Sequence, residues 1–253
     1  MSIIKISNLQ KAYGSKSVLR GIDLSVEAGQ IIGYIGPNGA GKSTTIRILA
    51  GLDKNYTGDV EVLGFDVKKD PMEVKRRIGY IPEAAEIYEM LTPKEFYELV
   101  GGLQDLPWET TQKRASRLQE YLDLKYSPDQ RIDTFSKGMK QKVLLISGLL
   151  HDPDLIFLDE PLAGLDANSV IRVKDLLQQL TERGKTIFYS SHIMEVVEKI
   201  SDRIILLNDG KIAANGTFAE INAQAHSGSL ETLFSQLTGG SAARTDFDFT
   251  ADE

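Results

Sequence analysis

The sequence predicts an α/β fold: a mainly parallel sheet with helices on its faces and a helical lobe inserted between two of its strands. Three observations predict it. Short apolar runs alternate with amphipathic segments, the pattern of parallel strands joined by crossover helices. One run, Ile31 to Ile35, leads straight into a glycine-rich turn and then a helix-favouring segment. Another, Leu155-Ile156-Phe157-Leu158, is apolar at every position, as expected of a strand buried on both faces.

In chain order, Ile3 to Leu9 and Val18 to Val26 are rich in β-branched and apolar residues and are broken by Gly14, Gly21 and Gly29, so the opening third reads as β structure. After the glycine-rich turn, Ser43 to Ala50 reads as a helix stopped at Gly51. Asp59 to Leu63 and Ile78 to Ile81 are further strands. From Thr92 to about Leu150 the character changes. Thr92-Pro93-Lys94-Glu95 is a capping box with proline at the first helical position, and charged, helix-favouring sequence follows. A helix from Ser136 carries Met139, Val143, Ile146 and Leu150 on one face. Val170, Val173, Leu177 and Leu180 form another helical stripe. Thr186 to Tyr189 is the next strand, followed by a helix with Ile193, Val197 and Ile200 facing inward. Ile204 to Leu207 and Ile212 to Ala214 form a hairpin across Asn208-Asp209-Gly210. The expected organisation is one domain over residues 1–238, with the helical lobe at about 90–150 and a disordered acidic tail at 239–253.

Composition narrows the function. The 253 residues suffice for one large domain with a sizeable core. A formal net charge of -7 argues against a protein that binds nucleic acid mainly through its phosphates. The absence of cysteine removes disulfides and thiolate metal sites. The opening MSIIKISNLQKAYG lacks a basic start followed by a long apolar run, so no secretory signal is expected. No stretch approaches the roughly 18 consecutive apolar residues of a membrane span.

Gly36-Pro37-Asn38-Gly39-Ala40-Gly41-Lys42-Ser43 fits the phosphate-loop pattern in full and has a strand before it and a helix after it. Glycines let consecutive backbone N–H groups turn toward phosphate oxygens, and the following helix adds the positive end of its dipole. Lys42 supplies a point charge to the β- and γ-phosphates, and the Ser43 hydroxyl is a ligand for Mg²⁺. Asp159 and Glu160 close the second apolar strand, where a parallel sheet faces its ligand crevice. Asp159 suits holding Mg²⁺, and Glu160 suits polarising an attacking water. Taken alone, the loop could be a plain strand–helix turn and the pair two solvated carboxylates. Together they describe a nucleoside triphosphatase.

Further motifs carry a resemblance. Phe135-Ser136-Lys137-Gly138-Met139-Lys140-Gln141 resembles the signature motif of ATP-binding cassette proteins, usually written LSGGQ. Gly164-Leu165-Asp166 resembles that family's D-loop, and Ser191-His192 its switch histidine. The order matches from about Ile3 to Thr217. The resemblance implies a phosphate-loop NTPase core with a mainly parallel sheet, an N-terminal antiparallel β subdomain and an inserted α-helical subdomain. It implies an ATPase subunit of a membrane transporter, with ATP as substrate and Mg²⁺ as cofactor. The implied nucleotide contacts are Tyr13, stacking on adenine, and Gly36, Pro37, Asn38, Gly39, Ala40, Gly41, Lys42, Ser43 and Thr44. Glu160, His192 and Lys42 would be catalytic, and Ser43, Asp159 and Glu83 would serve the metal. Ser136, Lys137, Gly138 and Met139 would meet the ATP of a second cassette, and Asp166 would lie at that interface. On local grounds Ser136 and Asp166 are also ordinary helix caps.

Two departures stand out. Lys137 replaces the first signature glycine, with Met139-Lys140 before Gln141, a variant similar to cassettes of drug-resistance and lipid or polysaccharide exporters. Glu83 stands where the family has a glutamine, so it keeps an oxygen ligand but loses the amide donor. The implied partners are an integral membrane permease and a second cassette, identical or not, with no nucleic acid. The implied location is the inner face of the cell membrane, in the cytoplasm, with export the favoured direction.

Overall fold

The computed structural model describes residues 2–83, 87–225 and 230–238. The expected acidic tail at 239–253 lies outside the described residues. The chain opens with a long antiparallel pair, β1 (Ser2–Tyr13) and β2 (Lys16–Glu27), then β3 (Ile31–Ile35) and α1 (Lys42–Leu49). β4 (Thr57–Val62), the two-residue β5 (Phe65–Asp66), α2 (Pro71–Arg77) and β6 (Ile78–Ile81) follow. Three helices come next: α3 (Pro93–Leu103), α4 (Trp108–Tyr121) and α5 (Lys137–Leu149). The chain then runs through β7 (Leu155–Asp159), α6 (Ala167–Glu182), β8 (Thr186–Ser190) and α7 (Met194–Ile200). It closes with β9 (Arg203–Asn208), β10 (Lys211–Gly216), α8 (Phe218–Ala225) and α9 (Leu230–Thr238).

Two sheets result. The first is antiparallel in the order β2-β1-β4-β5, and the second has the order β10-β9-β3-β8-β7-β6. In the second sheet β9, β3, β8, β7 and β6 run parallel and β10 pairs antiparallel at one edge. Side chains alternate across a strand, and here both sides are buried. Leu155 and Phe157 pack with Ile4, Leu9, Leu19 and Ile22 of the antiparallel sheet and with Ile46 of α1. Ile156 and Leu158 pack on the other side with Val143 and Ile146 of α5 and Val173 and Leu177 of α6. This double burial is the physical reason the strand reads as one unbroken apolar run. Phe96 and Tyr97 of α3, Ala115 of α4 and Leu124 belong to the same apolar cluster as Ile156 and Leu158.

The α3 start matches its motif. The Thr92 hydroxyl accepts from the Glu95 N–H at 3.3 Å, and the Glu95 carboxylate accepts from the Thr92 N–H at 2.8 Å. Ile193 departs from expectation: it is 39% exposed, and Val196, Val197 and Ile200 are the buried residues of α7. The helix starts one residue later, after a turn in which the Ile193 N–H donates to Ser191 Oγ at 3.0 Å, so Ile193 precedes the helical period. The sequence reading also passed over β5, α2, α8 and α9. In α2 only Val74 is buried, which leaves no stripe to detect.

A half-hidden ion pair ties β1 to the end of α1. Lys11 Nζ lies 2.7 Å from Asp53 Oδ2, with side-chain exposures of 4% and 14%. Burial pushes the Asp53 carboxyl up, but hydrogen bonds from Lys11, the Asn55 N–H and the Tyr13 hydroxyl outweigh it and hold the group below the usual carboxylate range. A depressed folded-state pKa gives stability that is present above the unfolded value, about 3.9, and is lost as pH falls through the folded value. Asp53→Asn is therefore expected to lower the urea midpoint at pH 7, with the difference shrinking progressively as pH falls below about 3.9.

Candidate functional site

Strands β3, β7 and β8 end at the same edge of the parallel sheet, and the chain after each contributes to one cavity of about 560 Å³. Asn38, Gly39, Gly41, Lys42, Ser43 and Thr44 form its floor. Asp159, Glu160 and His192 line one side, with Glu83 from beyond β6 and Lys16 and Val18 from β2 completing the wall. This is the crevice position expected of an open α/β sheet.

The glycine positions are fixed by contact as well as by conformation. A Cβ on Gly36 would lie 2.3 Å from the Leu207 carbonyl oxygen of β9. Gly41 has φ +112°, and a Cβ there would lie 2.5 Å from a Leu19 methyl carbon of β2. The loop is thus clamped between the two sheets. Gly41 caps α1 without a side-chain hydrogen bond, so the first N–H groups of the helix have no side-chain acceptor at the cap. The Thr45 hydroxyl donates to the Gly41 carbonyl at 2.9 Å and accepts from the buried Tyr34 at 3.1 Å, which fixes the first turn from below.

Lys42 is buried, and its ammonium donates to the Gly36 carbonyl at 2.8 Å. Burial draws its pKa down, and the carboxylates of Glu160, Asp159 and Glu83 push it back up. Asp159 is 4% exposed and accepts a short hydrogen bond from the Ser190 hydroxyl. Glu160 has left-handed backbone with φ 48°, a conformation rarely held by a non-glycine residue. Its N–H donates to the Ser190 carbonyl at 3.3 Å and to Ser190 Oγ at 3.2 Å. Its carboxylate lies 2.8 Å from His192 Nδ1, joining a 12% exposed acid to a 66% exposed imidazole.

Ser43, Asp159 and Glu83 share this cavity and offer oxygen only. That donor set suits a hard cation such as Mg²⁺ and not a thiophilic metal. Among the described residues, no cluster of three or more histidines or carboxylates is spaced to hold an ion alone. Mg²⁺ normally completes its shell with water and substrate phosphate, which fits so sparse a protein contribution.

The remaining expected site residues lie outside the cavity lining. Tyr13 is 49% exposed at the end of β1, pairs in register with Lys16, and has Lys11 Nζ 4.6 Å from its ring centroid. Ser136 caps α5 and accepts from the Met139 N–H at 3.2 Å, and Lys137 beside it is exposed. Gly138 backs onto the D-loop: a Cβ there would lie 2.9 Å from the Gly164 carbonyl. Asp166 caps α6, and the Ser169 hydroxyl and N–H that donate to it hold its carboxyl below the usual range. The structure therefore groups most of the expected residues in two places, the cavity and an exposed patch of helix starts, with Tyr13 apart at the end of β1. Ser190, which orders both Asp159 and Glu160, was missed as a functional residue. Its only sequence signal is a hydroxyl at the end of a strand next to the carboxylate strand.

A model of the ABC transporter family matches residues 19–163. The linearmycin resistance ATP-binding protein LnrL of Bacillus subtilis is 36% identical over 219 residues, covering 87% of this chain and 70% of LnrL. The chain belongs to the ABC transporter family. It is an ATP-binding, ATP-hydrolysing cassette of that family. A solved ATP-binding subunit of an ABC transporter superposes with a TM-score of 0.87 at 31% identity, covering 93% of this chain and 99% of that one. The ATP-binding cassette MJ0796, solved as a dimer in a post-hydrolysis state with ADP and Pi, gives 0.79 at 26% identity, covering 85% and 98%. Among the described residues no helix of this cassette is long and apolar enough to cross a membrane.

Groups that hold a site's carboxylates from behind typically contribute tenfold to a hundredfold. Ser190→Ala is therefore expected to lower ATP turnover by about tenfold to a hundredfold while the circular dichroism spectrum stays unchanged, as steady-state phosphate release would measure.

Proposed function

We propose that this cassette holds Mg²⁺–ATP over Lys42 and couples its hydrolysis to export through an integral membrane permease. The observation that carries this is the meeting of the glycine loop, Lys42, Asp159, Glu160, Glu83 and His192 in one cavity, although they come from distant parts of the chain. The backbone of Gly36 to Gly41 and the start of α1 receive the phosphates, with Pro37 and Ala40 shaping the loop. Thr44 extends that cradle. Lys42 exchanges its carbonyl contact for phosphate oxygens, and burial makes the charge count for more than it would in water. Mg²⁺, held by Ser43, Asp159 and Glu83, would neutralise charge on the β- and γ-phosphates.

Glu160 polarises the attacking water. Its distance of 2.8 Å from His192 supports a role for the histidine in holding that carboxylate and sensing the terminal phosphate. Tyr13 offers a flat face for adenine one hairpin turn from Lys16. Exposure of the helix start at Ser136 and Lys137, outside the cavity, supports their use by another cassette's ATP. Gly138, Met139 and Asp166 belong to that same face. Two cassettes, identical or paired with a relative, would then close around two nucleotides and reopen on hydrolysis, a ligand-driven two-state switch. MJ0796 as a dimer is consistent with this.

Export is supported by LnrL, whose name ascribes to it resistance to linearmycin. A permease contact is supported by a groove of about 320 Å³ lined in part by Leu52, Tyr80, Pro82, Phe96, Val100 and Leu144. Leu99 and Leu103 are exposed on the same helix, α3. The groove begins at Pro82, next to Glu83, so movement at the nucleotide has a short path to it. On this reading the cassette sits on the cytoplasmic face of the membrane through its permease.

Glu160→Gln is expected to leave ATP binding intact and slow hydrolysis on the order of a hundredfold or more, trapping an ATP-bound dimer detectable by gel filtration. Normal turnover in that variant would remove Glu160 from the mechanism. Lys42→Ala is expected to weaken ATP binding itself, by about tenfold or more in calorimetry, since a buried charge-assisted contact to phosphate is lost. Unchanged affinity there would count against the loop as the phosphate site.

A further inference from the structure

The helical lobe contains a second cavity of about 380 Å³, between α3, α4 and the segment 124–128. That size lies in the range of roughly 300–1,000 Å³ typical of small-molecule sites. Its walls are aromatic and apolar, with Tyr97, Trp108 and Tyr126 as the ring faces and Ala115 and Leu124 between them. Tyr97 is 1% exposed, and its buried hydroxyl meets the Gln119 side chain. Burial pushes this phenol's pKa upward, and the Gln119 side chain draws it part of the way back.

The charged residues that line the cavity are both lysines. Lys94 Nζ lies 5.8 Å from the Trp108 ring centroid, and Lys125 lines the wall while pairing with Asp123 at 2.7 Å. No carboxylate is among the lining residues. Flat ring walls and an ammonium at the edge together suit a ligand with a planar apolar body and one negative group. The cavity also has a physical link to the signature loop. The Tyr126 and Phe135 rings lie 5.4 Å apart by centroid, and Phe135, 5% exposed, immediately precedes Ser136, the cap of α5.

We propose that this cavity binds a small aromatic anion and that its occupancy is relayed through Tyr126 and Phe135 to Ser136. The relay, unlike the binding, rests on the role proposed above for Ser136. Trp108 is the only tryptophan of the chain, so its emission reports this cavity and nothing else. The test is titration of the full chain with 2-naphthoate, followed by Trp108 fluorescence, with the neutral 2-naphthalenemethanol alongside. Naphthoate is expected to give a saturable change, with the alcohol at least about tenfold weaker. Lys94→Gln is expected to erase that preference. Ser116→Phe, at an exposed position on the rim, is expected to block both compounds. Saturating naphthoate is further expected to alter ATP turnover by about threefold or more in the parent chain and not in Ser116→Phe.

Absence of a saturable response up to about 1 mM, or equal affinity for the alcohol, would overturn the site. Saturable binding with unaltered turnover would overturn the relay. Failure of the ATP reading itself would appear separately, as a chain without turnover before naphthoate is added, and the Trp108 titration would still decide the site.

Discussion

The loop from Gly36 to Gly41 is squeezed between a carbonyl of β9 on one side and a methyl group of β2 on the other, and much of the molecule serves to keep those two surfaces in place. Neither contact leaves room for a Cβ. The antiparallel sheet must therefore pack on the parallel sheet at one fixed separation, or the loop cannot form. The apolar cluster joining Leu19 and Ile22 to Phe157, Phe188 and Leu207 holds that separation. Tyr34 under Thr45, at the junction of β3 and α1, fixes the loop's exit in the same way.

A second consequence of this packing is electrostatic. Lys42 is carried into a dry position where its charge is expensive, and it is offset by three carboxylates and two loop carbonyls. The carboxylates are held in turn. Ser190 donates its hydroxyl to the Asp159 carboxylate and accepts from the Glu160 backbone N–H through its carbonyl and hydroxyl, across adjacent parallel strands in register at Asp159 and Ser190. Charges held in this way give the cavity an electrostatic pattern that is set before a ligand arrives.

The helical lobe stands in a different relation to the core. It shares the apolar cluster of Ile156 and Leu158 through α3, α4 and α5, yet it carries its own cavity and its own exposed leucines on α3. Its two outward features, the groove beside Pro82 and the capped start of α5, are those assigned above to the permease and to the second nucleotide.

The sequence by itself determined the local machinery. The phosphate loop, its flanking strand and helix, the Asp159–Glu160 strand end, the Thr92 capping box and the Ser136 and Asp166 helix starts were all legible, because each is set by side-chain chemistry within a few residues or by a period of burial. It did not reveal Ser190 as the ordering group, the Lys11–Asp53 pair, the placement of Ile193 outside its helix, or the short α2. Those depend on which strands neighbour one another and where a turn delays a helix by one residue. Only the tertiary structure decided that most of the expected residues divide between a cavity and a separate exposed face, because that division is a matter of which way each edge of the sheet points, and a linear pattern carries no such direction.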